Sequence, residues 1–142
     1  MHGELTREVI GAFFEVYNAL RPGYLESTYA GALALELTDR GVAFEREPRL
    51  DVFYKGRVAG VYRPDFFVDR RVVVELKATR AVGDADKRQL VHYLRATNTR
   101  LGLLLHFGAE ANLFRIINSE YERAAKLRVD PQARSEDPRR AR

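Results

Sequence analysis

The sequence contains no cysteine and only three histidines. A chain without thiols forms neither a disulfide framework nor a thiolate metal site, which agrees with a reducing compartment. The histidines do not predict a zinc site, because none has a partner at ligand spacing. Any metal ion bound by this chain is therefore expected to be held by oxygen ligands.

Long hydrophobic runs and a strong charge of one sign are also absent. Apolar residues make up 46% of the chain, and charged residues interrupt the apolar stretches well short of a membrane span. The amino-terminal residues lack the basic start and apolar segment of a secretory signal, so we expect a cytoplasmic location. Half of the net charge of +4 comes from residues 128–142, so the rest of the chain is only mildly basic. This charge gives weak support for nucleic-acid binding.

The length of 142 residues fits one ordinary domain. We predict a single domain over residues 1–128. Residues 129–142 are rich in Arg, Asp, Glu and Pro and bury too little to fold, so we predict a disordered tail.

The apolar periodicity predicts two helices, a run of short strands, a third helix, two final strands and a short last helix. Arg21-Pro22-Gly23 should end the first helix, Gly41 should close the second, and Asp84 should cap the third. The predicted helices span about 5–20, 25–40 and 84–97, with a short one from 118 to 127. The predicted strands span 44–47, 50–54, 58–62, 63–68, 72–77, 101–107 and 113–117, the last at an edge. The fold class is therefore α/β or mixed α+β, a central mixed sheet flanked by helices.

Charged residues interrupt two neighbouring apolar strands. Asp65 begins one strand, and Glu75 and Lys77 alternate along the next, so that Glu75 and Lys77 share a face. Taken alone, Glu-x-Lys is more typical of a solvated strand face. A hairpin pairing would bring Asp65 beside Glu75 in apolar surroundings, where two carboxylates need a proton or a metal ion. Mg²⁺ or Mn²⁺ fits such oxygen ligands and would activate water for phosphodiester hydrolysis.

Three motifs carry a resemblance to a known family. Pro64-Asp65 followed by Glu75-Leu76-Lys77 resembles the signature of the PD-(D/E)XK nuclease superfamily. The segment Gly23–Tyr29 is similar to the pattern that names the GxxExxY proteins, a branch of that superfamily. Gln89–Tyr93 resembles the Q-x-x-x-Y motif of its RecB-like exonuclease members. The resemblance covers roughly residues 5–118 and implies a restriction-endonuclease-like core.

The resemblance also implies roles for residues outside the two strands. Glu26 would ligate or orient the metal ion together with Asp65 and Glu75, although a first-turn glutamate also simply complements a helix dipole. Gln89, Tyr93 and Tyr29 would line the substrate site. A glutamine at the rim and a half-buried tyrosine are the ordinary alternative for Gln89 and Tyr93.

The sequence departs from the family pattern at three positions. Arg21 stands where glycine is usual, Ala30 where an acid often follows the tyrosine, and His106 where asparagine is expected. None removes a candidate ligand. For His106, a strand-end histidine bonded to the backbone is the simplest interpretation.

These observations predict a metal-dependent nuclease acting on nucleic acid, with DNA as the expected substrate and Lys77 as the catalytic cation. One alternative is a non-catalytic module that keeps the fold and binds nucleic acid or a protein. Another is a structural subunit that forms a homodimer through its edge strand near residues 113–117. Mutually repelling carboxylates in a core argue against the first alternative.

Overall fold

The computed structural model describes residues 2–121. Within these residues, two helices are followed by five strands, a third helix and two strands, in the predicted order. The helices are α1 (His2–Leu20), α2 (Glu26–Asp39) and α3 (Asp84–Ala96). The strands are β1 (Phe44–Arg46), β2 (Leu50–Tyr54), β3 (Arg57–Tyr62), β4 (Phe66–Val68), β5 (Val72–Lys77), β6 (Leu101–Phe107) and β7 (Ala111–Ile117). The predicted disordered tail and most of the predicted short helix after 118 lie outside the described residues.

Five strands form one sheet in the order β1-β4-β5-β6-β7, and β2 and β3 form a separate hairpin. β5 and β6 run parallel, while the other pairs in the sheet are antiparallel. All seven residues of β6 are buried, as expected for an apolar strand covered on both faces. The predicted mixed sheet, with β7 at its edge, is therefore confirmed.

The two faces of the sheet bury separate hydrophobic clusters. On one face, α1 and α2 pack against alternate residues of β5 and β6, with Phe13, Leu33 and Leu105 fully buried. On the other face, α3 and the β2–β3 hairpin cover a smaller cluster that includes Leu90 and Leu104. The side chains of Val73, Glu75 and Lys77 alternate with those of the first face and therefore point to this second side.

A close approach between backbone and side chain seats α3 on the sheet. Leu90 lies over Gly102 of β6, and a Cβ atom there would come within 3.1 Å of the Leu90 Cδ2 atom. The glycine thus allows α3 to approach the strand beside β5. This approach holds the helix that carries Gln89 and Tyr93 next to the charged face of β5.

The ends of α1 and α2 follow the predicted turn chemistry. α1 ends at Leu20, and Arg21 adopts a left-handed φ of 65°, the conformation that glycine takes without strain. Gly41, with φ of 71°, closes α2 as predicted. The N–H groups of Gly41 and Val42 donate to the carbonyls of Thr38 and Leu37, which is the Schellman arrangement.

Several element boundaries differ from the prediction by one to three residues, and α1 begins at His2 rather than Leu5. β4 begins at Phe66 rather than Arg63, because Pro64 has no N–H to donate to a ladder. The N-cap of α3 is Gly83 rather than Asp84, and the Asp86 carboxylate accepts the Gly83 N–H at 3.0 Å. β7 begins two residues earlier, at Ala111, because its pairing with β6 continues to Phe107.

Within residues 2–121, no helix has the length and apolar character needed to span a bilayer.

Candidate active site

The central feature of the site is a pair of carboxylates on adjacent strands. β4 and β5 pair with Phe66 opposite Val74, which places Asp65 opposite Glu75. The Asp65 N–H donates to Glu75 Oε1 at 3.2 Å, and the Leu76 N–H donates to Asp65 Oδ2 at 2.7 Å. Each acid is thus oriented by the backbone of the other strand, as the predicted hairpin pairing requires.

Burial and repulsion change the acidity of this pair. Burial, and to a lesser extent the nearby charge of Asp65, raise the pKa of Glu75, whereas hydrogen bonds from Tyr62 and the Asp65 N–H oppose the rise; together these effects raise the pKa to about 7. Glu75 therefore changes its charge near neutral pH. A cation beside the two carboxylates would favour the ionised form.

Tyr62 is a site residue that the sequence analysis missed. It ends β3, is only 5% exposed, and its hydroxyl donates to Glu75 Oε2 at 2.6 Å. Burial and the neighbouring Glu75 charge raise the pKa of this hydroxyl, so it remains a donor at neutral pH. The sequence offered one indication of this role, namely that Tyr62 ends a predicted strand three residues before Asp65. That indication is weak, because only the packing of the hairpin against the sheet brings Tyr62 to Glu75.

Lys77 lies two residues beyond Glu75 on the same face of β5. Its side chain is 31% exposed, and its Nζ atom is 3.9 Å from Asp86 Oδ1 at the start of α3. A long contact of this kind with a partly exposed partner is weak. Lys77 therefore lies on the face of β5 that carries Glu75, and its ammonium group is paired only weakly, with the partly exposed Asp86.

Glu26 approaches the site from α2, the helix that packs on the other face of the sheet. It is the first residue of α2 and is exposed, and its Oε1 atom accepts the Ala78 N–H at 3.3 Å, just after β5 ends. Desolvation and then the charge of Asp65 raise the pKa of Glu26, while Lys77 acts to lower it. Glu26 therefore shares an electrostatic environment with Asp65 and Lys77.

Glu26 does not complete a three-carboxylate metal site in this conformation. Across residues 2–121, no group of three or more His, Cys, Asp or Glu side chains is arranged to hold a metal ion. The predicted ligand set of Glu26, Asp65 and Glu75 is therefore assembled only as the Asp65–Glu75 pair. In this conformation the Oε1 atom of Glu26 accepts the Ala78 N–H, and no hydrogen bond links Glu26 to Asp65 or Glu75 among the described residues.

Gln89 and Tyr93 lie on the side of α3 that faces the site. The Tyr93 ring is half-buried and stacks on Tyr62, with centroids 4.0 Å apart and planes within 7°. Gln89 is exposed, and it lies on the helix between Tyr93 and Asp86, the residue near Lys77. Tyr93 thus contacts Glu75 only through Tyr62, whereas Gln89 is open to a ligand.

The prediction that Tyr29 lines the substrate site requires correction. Its side chain is fully buried and stacks on Phe107 with centroids 4.3 Å apart. Its hydroxyl donates to the Arg21 carbonyl at 2.6 Å and accepts the Tyr24 N–H at 3.2 Å. A side chain with no exposed surface has no access to substrate, so Tyr29 holds the loop that leads into Glu26.

His106 has the backbone partner that was expected for it. It lies opposite Lys77 in the parallel β5–β6 pair, is 6% exposed, and its Nε2 atom is 2.6 Å from the Thr79 carbonyl oxygen. The contact fixes the loop that follows Lys77. His92, expected at the surface, is exposed on α3.

The chemistry of the donors fits a hard divalent cation. Asp65 and Glu75 provide oxygen atoms only, and their mutual repulsion is the kind of excess negative charge that such a cation relieves. Mg²⁺ is commonly held by one or two carboxylates together with waters and substrate phosphates. Two apposed carboxylates are therefore sufficient protein ligands.

Comparison with known proteins gives a family-level match. The sequence model described as the PD-(D/E)XK nuclease superfamily matches residues 3–116. No curated protein matches the chain. Among solved structures, the chain is similar to one titled "Crystal structure of SSO0001", with 20% identity and a TM-score of 0.49. That match covers 70% of this chain and 54% of the other, so the chain spans about half the length of that structure.

Proposed function

The chain belongs to the PD-(D/E)XK nuclease superfamily, and from this premise we propose that it is a metal-dependent nuclease that hydrolyses phosphodiester bonds, with DNA as its substrate. The observation that carries the proposal is the Asp65–Glu75 pair with Lys77 on the same face of β5. A purely structural strand would have no need to oppose two acids in a half-buried site.

Asp65 and Glu75 would hold Mg²⁺ or Mn²⁺, with Glu26 as an auxiliary acid at the edge of the pair. The bound cation would lower the pKa of a water molecule and stabilise the charge that builds on the phosphate. Lys77 would orient the attacking water and share in stabilising that charge. Its weak contact with Asp86 leaves the ammonium group available for this role.

Two further residues support this arrangement from α3. Gln89 would contact the nucleic acid, because it is exposed between Asp86 and Tyr93 on the side of the helix facing the site. Tyr93 would act through Tyr62, whose hydroxyl orients Glu75. We assign Tyr62 and Tyr93 as positioning residues rather than ligands.

Single substitutions test the catalytic assignment. We expect Glu75→Ala and Lys77→Ala to remain folded and to lose cleavage of labelled DNA in Mg²⁺ or Mn²⁺ by at least about a hundredfold, because each removes a group used in the transition state. Glu15→Ala is the control, since this glutamate is exposed on α1. Full cleavage by both site variants would refute the assignment, and matched RNA substrates would establish the nucleic acid preferred.

Thermal melting separates the nuclease from the non-catalytic alternative. A cation bound only by the native state raises the melting temperature of the wild-type chain as its concentration increases. We expect this rise with Mn²⁺ in the wild type and its loss in Glu75→Ala. A wild type whose melting temperature is unchanged by Mn²⁺ would favour a module that binds nucleic acid or protein without catalysis.

A further inference from the structure

The β2–β3 hairpin stands apart from the main sheet and has two different faces. Its inner face packs Leu50, Val52 and Tyr62 against the cluster under α3. Its outer face exposes Phe53 at 62%, the register partner Val58 at 47% and Val61 at 39%, and Tyr54, which is 65% exposed, lies on the alternate side beside the turn. Exposed apolar and aromatic side chains gathered at one end of a hairpin are characteristic of an interaction surface.

The charges near the turn of the hairpin are all positive. Residues 52–64 contain Lys55, Arg57 and Arg63 and no acid. Lys55 Nζ lies 5.3 Å from the centre of the Tyr54 ring, and Tyr54 is the register partner of Arg57. The aromatic surface and the cations therefore share one end of the hairpin, which suits a ligand with flat rings and negative charge.

The hairpin is joined directly to the candidate active site. β3 begins at Arg57 beside the turn and ends at Tyr62, which is bonded to Glu75. At about 3.3 Å per residue, the turn lies roughly 15–20 Å from Tyr62 along the strand. A strand of nucleic acid that passes the carboxylates can thus extend along the hairpin.

We propose that the outer face and turn of the β2–β3 hairpin bind single-stranded nucleic acid next to the cleavage site. Bases stack on Phe53 and Tyr54, and phosphates contact Lys55 and Arg57. The inference rests on the proposed function, because it takes the substrate to be nucleic acid.

A single strand suits this surface better than a duplex or a protein. Unpaired bases expose the flat faces that exposed aromatic rings stack upon, whereas a duplex keeps those faces inside its stack. Lysine is depleted at the centre of protein interfaces, whereas Lys55 follows Tyr54 directly and its Nζ atom lies 5.3 Å from the centre of the exposed Tyr54 ring. Complementarity of charge and of stacking surface therefore selects single-stranded nucleic acid.

The test measures binding of the full chain to a fluorescent oligothymidylate in EDTA, with a duplex of equal length as comparison. We expect the double variant Phe53→Ala/Tyr54→Ala to weaken binding of the single strand at least tenfold, since each stacked base contributes about 1–3 kcal/mol. Duplex binding should change much less. Leu35→Ala, which removes a 70% exposed side chain from α2, is the matched control and should bind like the wild type.

A second variant tests the charges separately. For Lys55→Gln/Arg57→Gln, the slope of log Kd against log salt concentration should fall by about 1.4, at about 0.7 per phosphate contact with a single strand. The aromatic double variant should keep the wild-type slope. A lower slope in the charge variant and an unchanged slope in the aromatic variant would support contact of Lys55 and Arg57 with phosphates and of Phe53 and Tyr54 with bases.

Three outcomes would overturn the inference. Wild-type binding with both double variants unaffected would exclude the hairpin while leaving the nuclease proposal intact. No binding of oligothymidylate by the wild type in EDTA would refute the hairpin site, whereas the nuclease proposal would be refuted only by the absence of cleavage in Mg²⁺ or Mn²⁺. Sedimentation showing a dimer that Phe53→Ala/Tyr54→Ala dissociates, with oligothymidylate binding unchanged, would assign the surface to a second copy of this chain.

Discussion

At the scale of single residues, the site depends on how one partly buried carboxylate is hydrogen-bonded. Burial and Asp65 raise the pKa of Glu75, whereas Tyr62 and the Asp65 N–H act to lower it. With both donors intact Glu75 is partly ionised near neutral pH, and the loss of a donor shifts it further toward the neutral form. Tyr62 therefore affects the chemistry without touching the substrate.

Replacing Tyr62 by phenylalanine removes this donor and keeps the ring that stacks on Tyr93. Because hydrogen bonds to charged groups contribute about 1.5–3 kcal/mol, the pKa of Glu75 should rise by roughly one unit or more. We expect the pH profile of Mn²⁺-dependent cleavage to move upward by a similar amount. The measurement is kcat/KM for a labelled oligonucleotide between pH 6 and 9.

Tyr17→Phe is the matched control for this shift. Tyr17 is also a buried tyrosine, but its hydroxyl donates to the Gly108 and Ala109 carbonyls on the other side of the sheet. Its loss should lower the melting temperature and leave the pH profile in place. Equal profiles for Tyr62→Phe and the wild type would contradict the positioning role of Tyr62.

At the scale of elements, the loop from 78 to 83 determines where Lys77 and α3 lie. Three side chains from different elements hold it: Glu26 at Ala78, His106 at Thr79 and Asp86 at Gly83. Periodicity and turn residues predicted the helices and strands on either side of this loop. They did not predict these contacts, because each joins elements that only tertiary packing brings together.

Substitutions at two glycines, one inside α2 and one just beyond its end, measure how local backbone conformation contributes to stability. Gly41 has a left-handed φ of 71°, whereas Gly31 lies inside the helix, and neither has an atom within 4 Å of an added Cβ. We expect Gly41→Ala to lower the free energy of unfolding by about 1 kcal/mol and Gly31→Ala to raise it by about 0.5–1 kcal/mol. Urea denaturation measures both. A change of the same sign in the two variants would contradict the assigned cap.

At the scale of the whole molecule, the sequence predicted the fold class and the apposition of Asp65 and Glu75, because strand alternation and a short hairpin determine both. It did not predict that Tyr29 would be buried or that Tyr62 would reach Glu75. Both depend on how helices and the β2–β3 hairpin pack onto the sheet. A motif identifies the residues of such a site, and packing decides which of them face the substrate.

The carboxylate pair should also make the stability of the whole chain depend on pH. Glu75 has a pKa of about 7 in the folded chain against an ordinary value of 4.5, so the native state holds a proton that the unfolded state releases. Stability should therefore fall as pH rises from about 4.5 to 7. The raised pKa of Glu26 acts in the same direction.

Glu75→Gln isolates this effect, because it removes the titrating group and leaves the other carboxylates in place. The stability of the variant relative to the wild type should increase by roughly 3 kcal/mol between pH 4.5 and 8, measured by urea denaturation in EDTA. Mn²⁺ should relieve the wild-type deficit more at pH 8 than at pH 6, since the cation binds the ionised pair. A difference between variant and wild type that is constant with pH would show that folding does not raise the pKa of Glu75.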